Sequence, residues 1–191
     1  MDNNLKITNY LGKHLKEAFT MHALSSQVSI PYATFYRTIQ EMKDLINTQT
    51  IGKSKIISLN RENPIINSYL SISSEEEKKE FLKTHPIISK ITSELSTKDI
   101  IILFGSYAKG TETSNSDIDI LIINKKGNKS ISFSKYEALF KKKINPVFIT
   151  KSEFIKMLKE KEENLGKQVL KNHIILNNPE EFWRNIIHGQ L

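Results

Sequence analysis

Two rhythms of apolar and polar positions run along the chain, and each change of rhythm marks an element. Across residues 5–19, Ile7, Leu11, Leu15, Ala18 and Phe19 recur every three to four positions, which predicts a helix. Residues 20–28 predict a short helix with Thr20 as its N-cap. Ser29-Ile30-Pro31-Tyr32 breaks the pattern, and residues 33–45 predict another helix with Phe35, Ile39, Met42 and Leu45 inward. Ile46–Ile51 and residues 55–59, separated by Gly52-Lys53-Ser54, predict strand, turn and strand. A turn-rich boundary, residues 60–64, precedes the start of a connecting helix at 65–70. Ser73-Ser74 followed by Glu75-Glu76-Glu77 offers a cap and acidic first turn for a further helix, which His85-Pro86 ends.

The second half mixes both rhythms. A helix over residues 87–95 leads to an apolar run, Ile100–Phe104, that stops abruptly at Gly105-Ser106. A second apolar run opens at Asp117-Ile118-Asp119-Ile120. A polar loop at 125–129 precedes a helix over 133–143, whose terminal Lys141-Lys142-Lys143 reads as a solvated face complementing the helix C-terminus, or as a surface for nucleic acid or a partner. Ile144–Thr150 predicts a strand near a sheet edge, because Pro146 cannot donate to a ladder. Residues 152–162, capped by Ser152 or Thr150, predict a helix that continues through 164–171. Residues 173–176 form a short apolar run suited to a final strand. A closing helix from Pro179 carries Phe182, Trp183, Ile186 and Ile187 on its apolar side, with Trp183 as a core anchor.

Composition narrows the class. The 191 residues permit one domain or two small ones. Lys+Arg 28 against Asp+Glu 21 gives a formal charge of +7, which favours polyanionic partners such as nucleic acid or nucleotides. The absence of cysteine excludes disulfides and thiolate metal sites and agrees with a reducing compartment. No apolar run approaches the roughly 18 residues a membrane span needs, and Met1-Asp2-Asn3-Asn4 is not a signal peptide, so a soluble, cytoplasmic protein is expected.

The chemistry concentrates around Gly105 and Asp117. Strand side chains alternate faces, so Asp117 and Asp119 project together at the start of their strand. Two adjacent carboxylates repel unless a cation joins them, and Mg²⁺ suits oxygen ligands shared with substrate phosphates. Gly105-Ser106 at a tight turn would present backbone N–H groups to a phosphate.

The sequence Gly105-Ser106-Tyr107-Ala108-Lys109-Gly110, followed by Ser116-Asp117-Ile118-Asp119-Ile120, resembles the signature of minimal nucleotidyltransferases of the polymerase-β-like superfamily. The resemblance covers roughly residues 87–176 and implies a small mixed sheet with helices on one face and the active site at the strand ends. It implies that Gly105 and Ser106 hold the β/γ phosphates of ATP or another NTP. Asp117 and Asp119 would be the catalytic ligands of Mg²⁺ or Mn²⁺, with weaker phosphate or loop-bracing roles for Lys109 and Ser116. An acceptor hydroxyl would attack the α-phosphorus in line and expel pyrophosphate.

Family members that turn over use a third carboxylate on the following strand. Here the matching position is Asn145 or, in another register, Val147, which share one face. Neither is acidic, and Asn cannot act as a base. Glu153, read onto the next helix, is the nearest downstream acid and the candidate substitute.

Towards the amino terminus, two helices joined by a short turn and followed directly by a hairpin resemble winged helix-turn-helix domains. That resemblance implies DNA contacts from Tyr32, Thr34, Arg37, Thr38 and Gln40, with Lys53 and Lys55 on the wing. A small helical domain whose hairpin docks protein remains the alternative. The expected class is α+β: a winged helix-turn-helix domain at 1–62, a helical linker at 63–86 and a nucleotidyltransferase-like domain with a small mixed β-sheet and flanking helices at 87–191.

Two functions follow. One is transfer of a nucleotide, foremost AMP from ATP, to a hydroxyl of a protein or small molecule. Such minimal enzymes resemble the antitoxin half of a pair with a HEPN-type RNase, which makes a HEPN-type protein an expected partner. The other is a DNA-binding transcriptional regulator whose second domain binds nucleotide without efficient turnover. Loss of both activities, with the first domain serving to form a homodimer, is the third possibility.

Overall fold

The computed structural model describes residues 1–189. The chain divides into two compact units, Met1–Ser73 and a second from Ser74 onward.

In the first unit, α1 (Asn3–Lys13) is followed by β1 (Phe19–Thr20), α2 (Met21–Gln27), α3 (Tyr32–Glu41), β2 (Ile46–Ile51) and β3 (Ser54–Leu59). The three strands pair antiparallel in the order β1-β3-β2. Thr20 caps α2, its hydroxyl accepting from the Ala23 N–H at 3.2 Å. Phe35, Ile39, Met42 and Leu45 are buried with Ile7, Leu11, Leu24 and Ile57, as the helical spacing implies. Phe19 departs from the expected pattern. The first helix stops at Lys13, and Phe19 pairs with Ile57 in β1 while its ring stands edge-on to Tyr10, 5.5 Å between centroids.

The division between units falls inside α4 (Ile66–Thr84), one helix of 19 residues rather than the two pieces expected. Ser73 and Ser74 cap nothing. The Ser73 hydroxyl donates to the Leu70 carbonyl three residues back, and Ser74 Oγ accepts the Trp183 indole N–H at 2.8 Å. Trp183 is fully buried, the anchor its sequence position suggests.

The rest of the second unit comprises α5 (Pro86–Ser93), β4 (Ile100–Phe104), α6 (Gly105–Lys109), β5 (Ile118–Asn124), α7 (Ser134–Phe140), β6 (Ile144–Thr150), α8 (Lys151–Lys159), α9 (Leu165–Lys171), β7 (Ile174–Asn177) and α10 (Pro179–His188). Its sheet is mixed, in the order β6-β5-β4-β7. β5 pairs antiparallel with β4 and parallel with β6, and Pro146 lies on the edge strand β6. The near-continuous apolar sequences of β4 and β5 belong to strands buried on both faces. Ile101, Leu103, Ile120 and Ile122 pack with Ile88 and Ile91 of α5 and Tyr136 of α7. The intervening Ile100, Ile102, Leu121 and Ile123 are equally buried on the other face, where α8 and α10 lie against β4 and β5. Helices on one face were expected; both faces are covered, because both sets of strand side chains are apolar.

Residues 151–171 form two helices instead of one. After α8, Asn164 restarts the helix by accepting from the Lys167 N–H with its side-chain oxygen at 3.1 Å.

Candidate active site

The site forms where β4 ends and β5 and β6 begin. β4 turns directly into α6, with Gly105 at φ +72°, a left-handed conformation that favours glycine. The antiparallel register sets Phe104 opposite Asp119, so the turn passes beside the Asp119 carboxylate. A Cβ on Gly105 would lie 2.1 Å from Asp119 Oδ2. Glycine is therefore required twice, once for the backbone and once for space.

Asp119 is the second residue of β5, and Asp117 directly precedes the strand. Their carboxylates converge on one side chain. Asn145 Nδ2 donates to Asp117 Oδ2 and to Asp119 Oδ1, each at 3.2 Å. The parallel register pairs Asp119 with Asn145 and Leu121 with Val147, which sets Asn145 rather than Val147 beside the carboxylate pair. Lys143 Nζ lies 3.3 Å from Asp117 Oδ2 across an exposed ion pair.

Lys143 belongs to the lysine run expected to close a helix. The structure corrects this: α7 ends at Phe140, and Lys141 adopts a left-handed φ of +53° that stops it. The run becomes the approach to β6. Lys142 Nζ then donates to the carbonyls of Ser114 and Ser116, at 2.5 and 3.1 Å, and ties down the loop before Asp117. Sequence reasoning missed both lysines as site residues, although their position immediately before the strand bearing Asn145 was a usable signal.

Other motif residues divide by role. Ser106 is half-buried in the first turn of α6, whose N-cap, Phe104, supplies no side-chain hydrogen bond. Ser116 Oγ accepts from the Thr113 N–H at 2.9 Å, a loop-bracing contact. Lys109 is exposed at the end of α6, before the left-handed Gly110, and contacts neither carboxylate. Glu153 does not join the site. It stands at the opposite end of β6 in the capping box of α8, accepting from the Thr150 N–H at 2.6 Å and the Thr150 hydroxyl at 2.7 Å. Those bonds, the backbone one first, hold its carboxyl below the usual range.

Hard oxygen donors converging from Asp117 and Asp119 suit a divalent cation that takes its remaining ligands from phosphate and water. They do not make a closed metal cage: among the described residues no group of three or more His, Cys, Asp or Glu side chains could hold an ion.

In the first unit, α3 presents Tyr32, Arg37 and Gln40 to solvent and half-buries Thr34; Lys53 and Lys55 are exposed on the hairpin. Thr38 is a correction. It is only 6% exposed, and its hydroxyl donates to the Thr34 carbonyl at 3.0 Å, so it faces the core with Phe35 and Ile39. Tyr36, not among the expected contacts, is also exposed, one turn from both Tyr32 and Gln40, with Lys55 Nζ 5.9 Å from its ring centroid.

No curated protein and no solved structure matches the chain. A family model described as "Nucleotidyltransferase domain" matches residues 85–187, just over half of the 191 residues, and spans β4 through β7 with the whole carboxylate site. With the Gly105 turn and the Asp117–Asp119 pair in place at the strand ends, this chain belongs to the nucleotidyltransferase domain family.

Proposed function

We propose that the protein is a slow, divalent-metal-dependent nucleotidyltransferase that moves a nucleotide, foremost AMP from ATP, onto a hydroxyl. The family supports nucleotidyl transfer in general. The observation that carries the finer reading is the convergence of Asp117 and Asp119 on one point beside the Gly105-Ser106 turn. Asp117 and Asp119 would hold Mg²⁺ or Mn²⁺, which when bound neutralises charge on the triphosphate and on the departing pyrophosphate. The first turn of α6 would receive the β/γ phosphates. Lys142 keeps the preceding loop in place, and Lys143 offsets part of the carboxylate charge.

Slow turnover follows from Asn145. Its amide donates to both aspartates and has no basic atom to take a proton from the acceptor. General-base help of that kind contributes about 10²–10⁴-fold in rate. The acceptor we favour is a protein hydroxyl on a HEPN-type RNase, as the resemblance to antitoxins of such pairs suggests. Transfer of label from α-labelled ATP to that partner, lost in Asp117→Asn/Asp119→Asn, is the test.

The same asparagine favours a second reading, in which nucleotide is bound and not transferred while the first unit acts as a winged helix-turn-helix DNA binder. The support is the order α1-β1-α2-α3-β2-β3 and the exposed side chains Tyr32, Tyr36, Arg37, Gln40 and Lys55. Salt-sensitive, sequence-selective DNA binding with no label transfer would favour this regulator.

A further inference from the structure

A cavity of about 950 Å³ lies at the opposite end of the sheet from the carboxylate pair. It opens around Asn124, five residues along β5 from Asp119, a separation of roughly 17 Å at ~3.3 Å per residue. Ile100 and Ile123 from the strand ends and Ile155 of α8 give it apolar walls.

Five lysines surround it: Lys98, Lys125 and, on α8, Lys151, Lys156 and Lys159. None of their ammonium groups forms an ion pair with a described residue. Two carboxylates also line the cavity, and both are engaged elsewhere. Asp99 accepts the Ser130 hydroxyl at 2.6 Å, and Glu181 pairs with Arg184 at 2.9 Å. The wall contributed by α10 includes Asn185 and Glu181.

We propose that this cavity binds a nucleotide, separately from the site at Asp117 and Asp119. The unpaired lysines match its phosphate, and the isoleucine walls match the faces of a nucleobase. The volume lies in the range of cavities that enclose drug-sized ligands. The proposal goes beyond the transfer reaction and does not depend on it.

The experiment titrates the full chain with AMP in EDTA, in wild type, in Asp117→Asn/Asp119→Asn and in Lys151→Glu/Lys156→Glu, with adenosine and inorganic phosphate as separate probes. AMP should bind the aspartate variant as it binds wild type. It should bind the lysine variant at least ten-fold more weakly, and adenosine and phosphate should each bind wild type at least ten-fold more weakly than AMP. The two lysines are exposed, so their substitution leaves the core intact. Equal affinity in the lysine variant, loss only in the aspartate variant, no AMP binding, or phosphate binding as tightly as AMP would each overturn the proposal.

Discussion

Asn145 faces Asp119 across the parallel strands β6 and β5, and its amide nitrogen lies 3.2 Å from Asp119 Oδ1 and equally far from Asp117 Oδ2. A donor therefore occupies the place where the family resemblance implies an acceptor. The amide holds the two carboxylates together without a metal and gives up the proton acceptor that a carboxylate would supply.

Asn145→Asp tests the structural half of that exchange. Without metal, two hydrogen bonds are replaced by a third negative charge in a partly exposed site, which should destabilise the second unit by about 1 kcal/mol. Mg²⁺ should raise the melting temperature of Asn145→Asp more than that of wild type. Thermal melts in EDTA and in Mg²⁺ check this; equal Mg²⁺ shifts would sink it.

Gly105→Ala meets a positive φ and an occupied space together. Backbone strain of this kind costs about 1–3 kcal/mol, and the new methyl must also displace the Asp119 carboxylate. The expected outcome is a lowered melting temperature together with lost stabilisation by Mg·ATP. Gly110→Ala is the comparison: its φ is also positive, +66°, but nothing lies within 4 Å of the added Cβ, so ligand binding should survive.

Glu94 governs part of the acid limb of stability. Hydrogen bonds from Lys135 first, then Lys90 and Tyr136, lower its pKa from 4.5 to about 2. A carboxylate with a depressed folded-state pKa stabilises the protein above its unfolded pKa, and the contribution is lost as pH falls from about 4.5 to about 2. Glu94→Gln should therefore melt lower than wild type at neutral pH and converge with it near pH 2. A constant difference across that window would rule out the linkage.

On the regulator reading, Arg37→Ala and Lys53→Ala should weaken binding to operator DNA and each reduce the salt slope by about 1. Thr38→Val should leave DNA affinity unchanged, because Thr38 faces the core. Gel-shift titrations at several salt concentrations distinguish these. A Thr38→Val defect as large as that of Arg37→Ala would contradict the placement of α3.

Much of this architecture was legible because local rules dominate where it lies. The Gly-Ser stop and the Asp-x-Asp start bracket strands whose alternation is unambiguous, and that alternation also set Asn145 on the site face. Thr38 was legible in principle, since it shares the three-to-four spacing of Phe35, Ile39 and Met42. Three features were not set by the local pattern of apolar and polar positions. Ser73-Ser74-Glu75 has the chemistry of a cap, but Trp183 takes the Ser74 hydroxyl and the helix runs on. The end of α7 depends on the left-handed Lys141, and so does the delivery of Lys142 and Lys143 to the site. Coverage of both sheet faces needed the positions of α8 and α10, which no short window contains.

The central claim is that Asp117 and Asp119 support nucleotidyl transfer that Asn145 keeps slow. Its most direct test is the single-turnover rate of label transfer from α-labelled ATP and Mg²⁺ to the acceptor hydroxyl. The rate is measured in wild type, Asn145→Asp and Asp117→Asn/Asp119→Asn. The expected result is slow transfer in wild type, a rate about 10²–10⁴-fold higher in Asn145→Asp, and none in the double variant. Transfer that persists in the double variant, or an Asn145→Asp rate no higher than wild type, would contradict it.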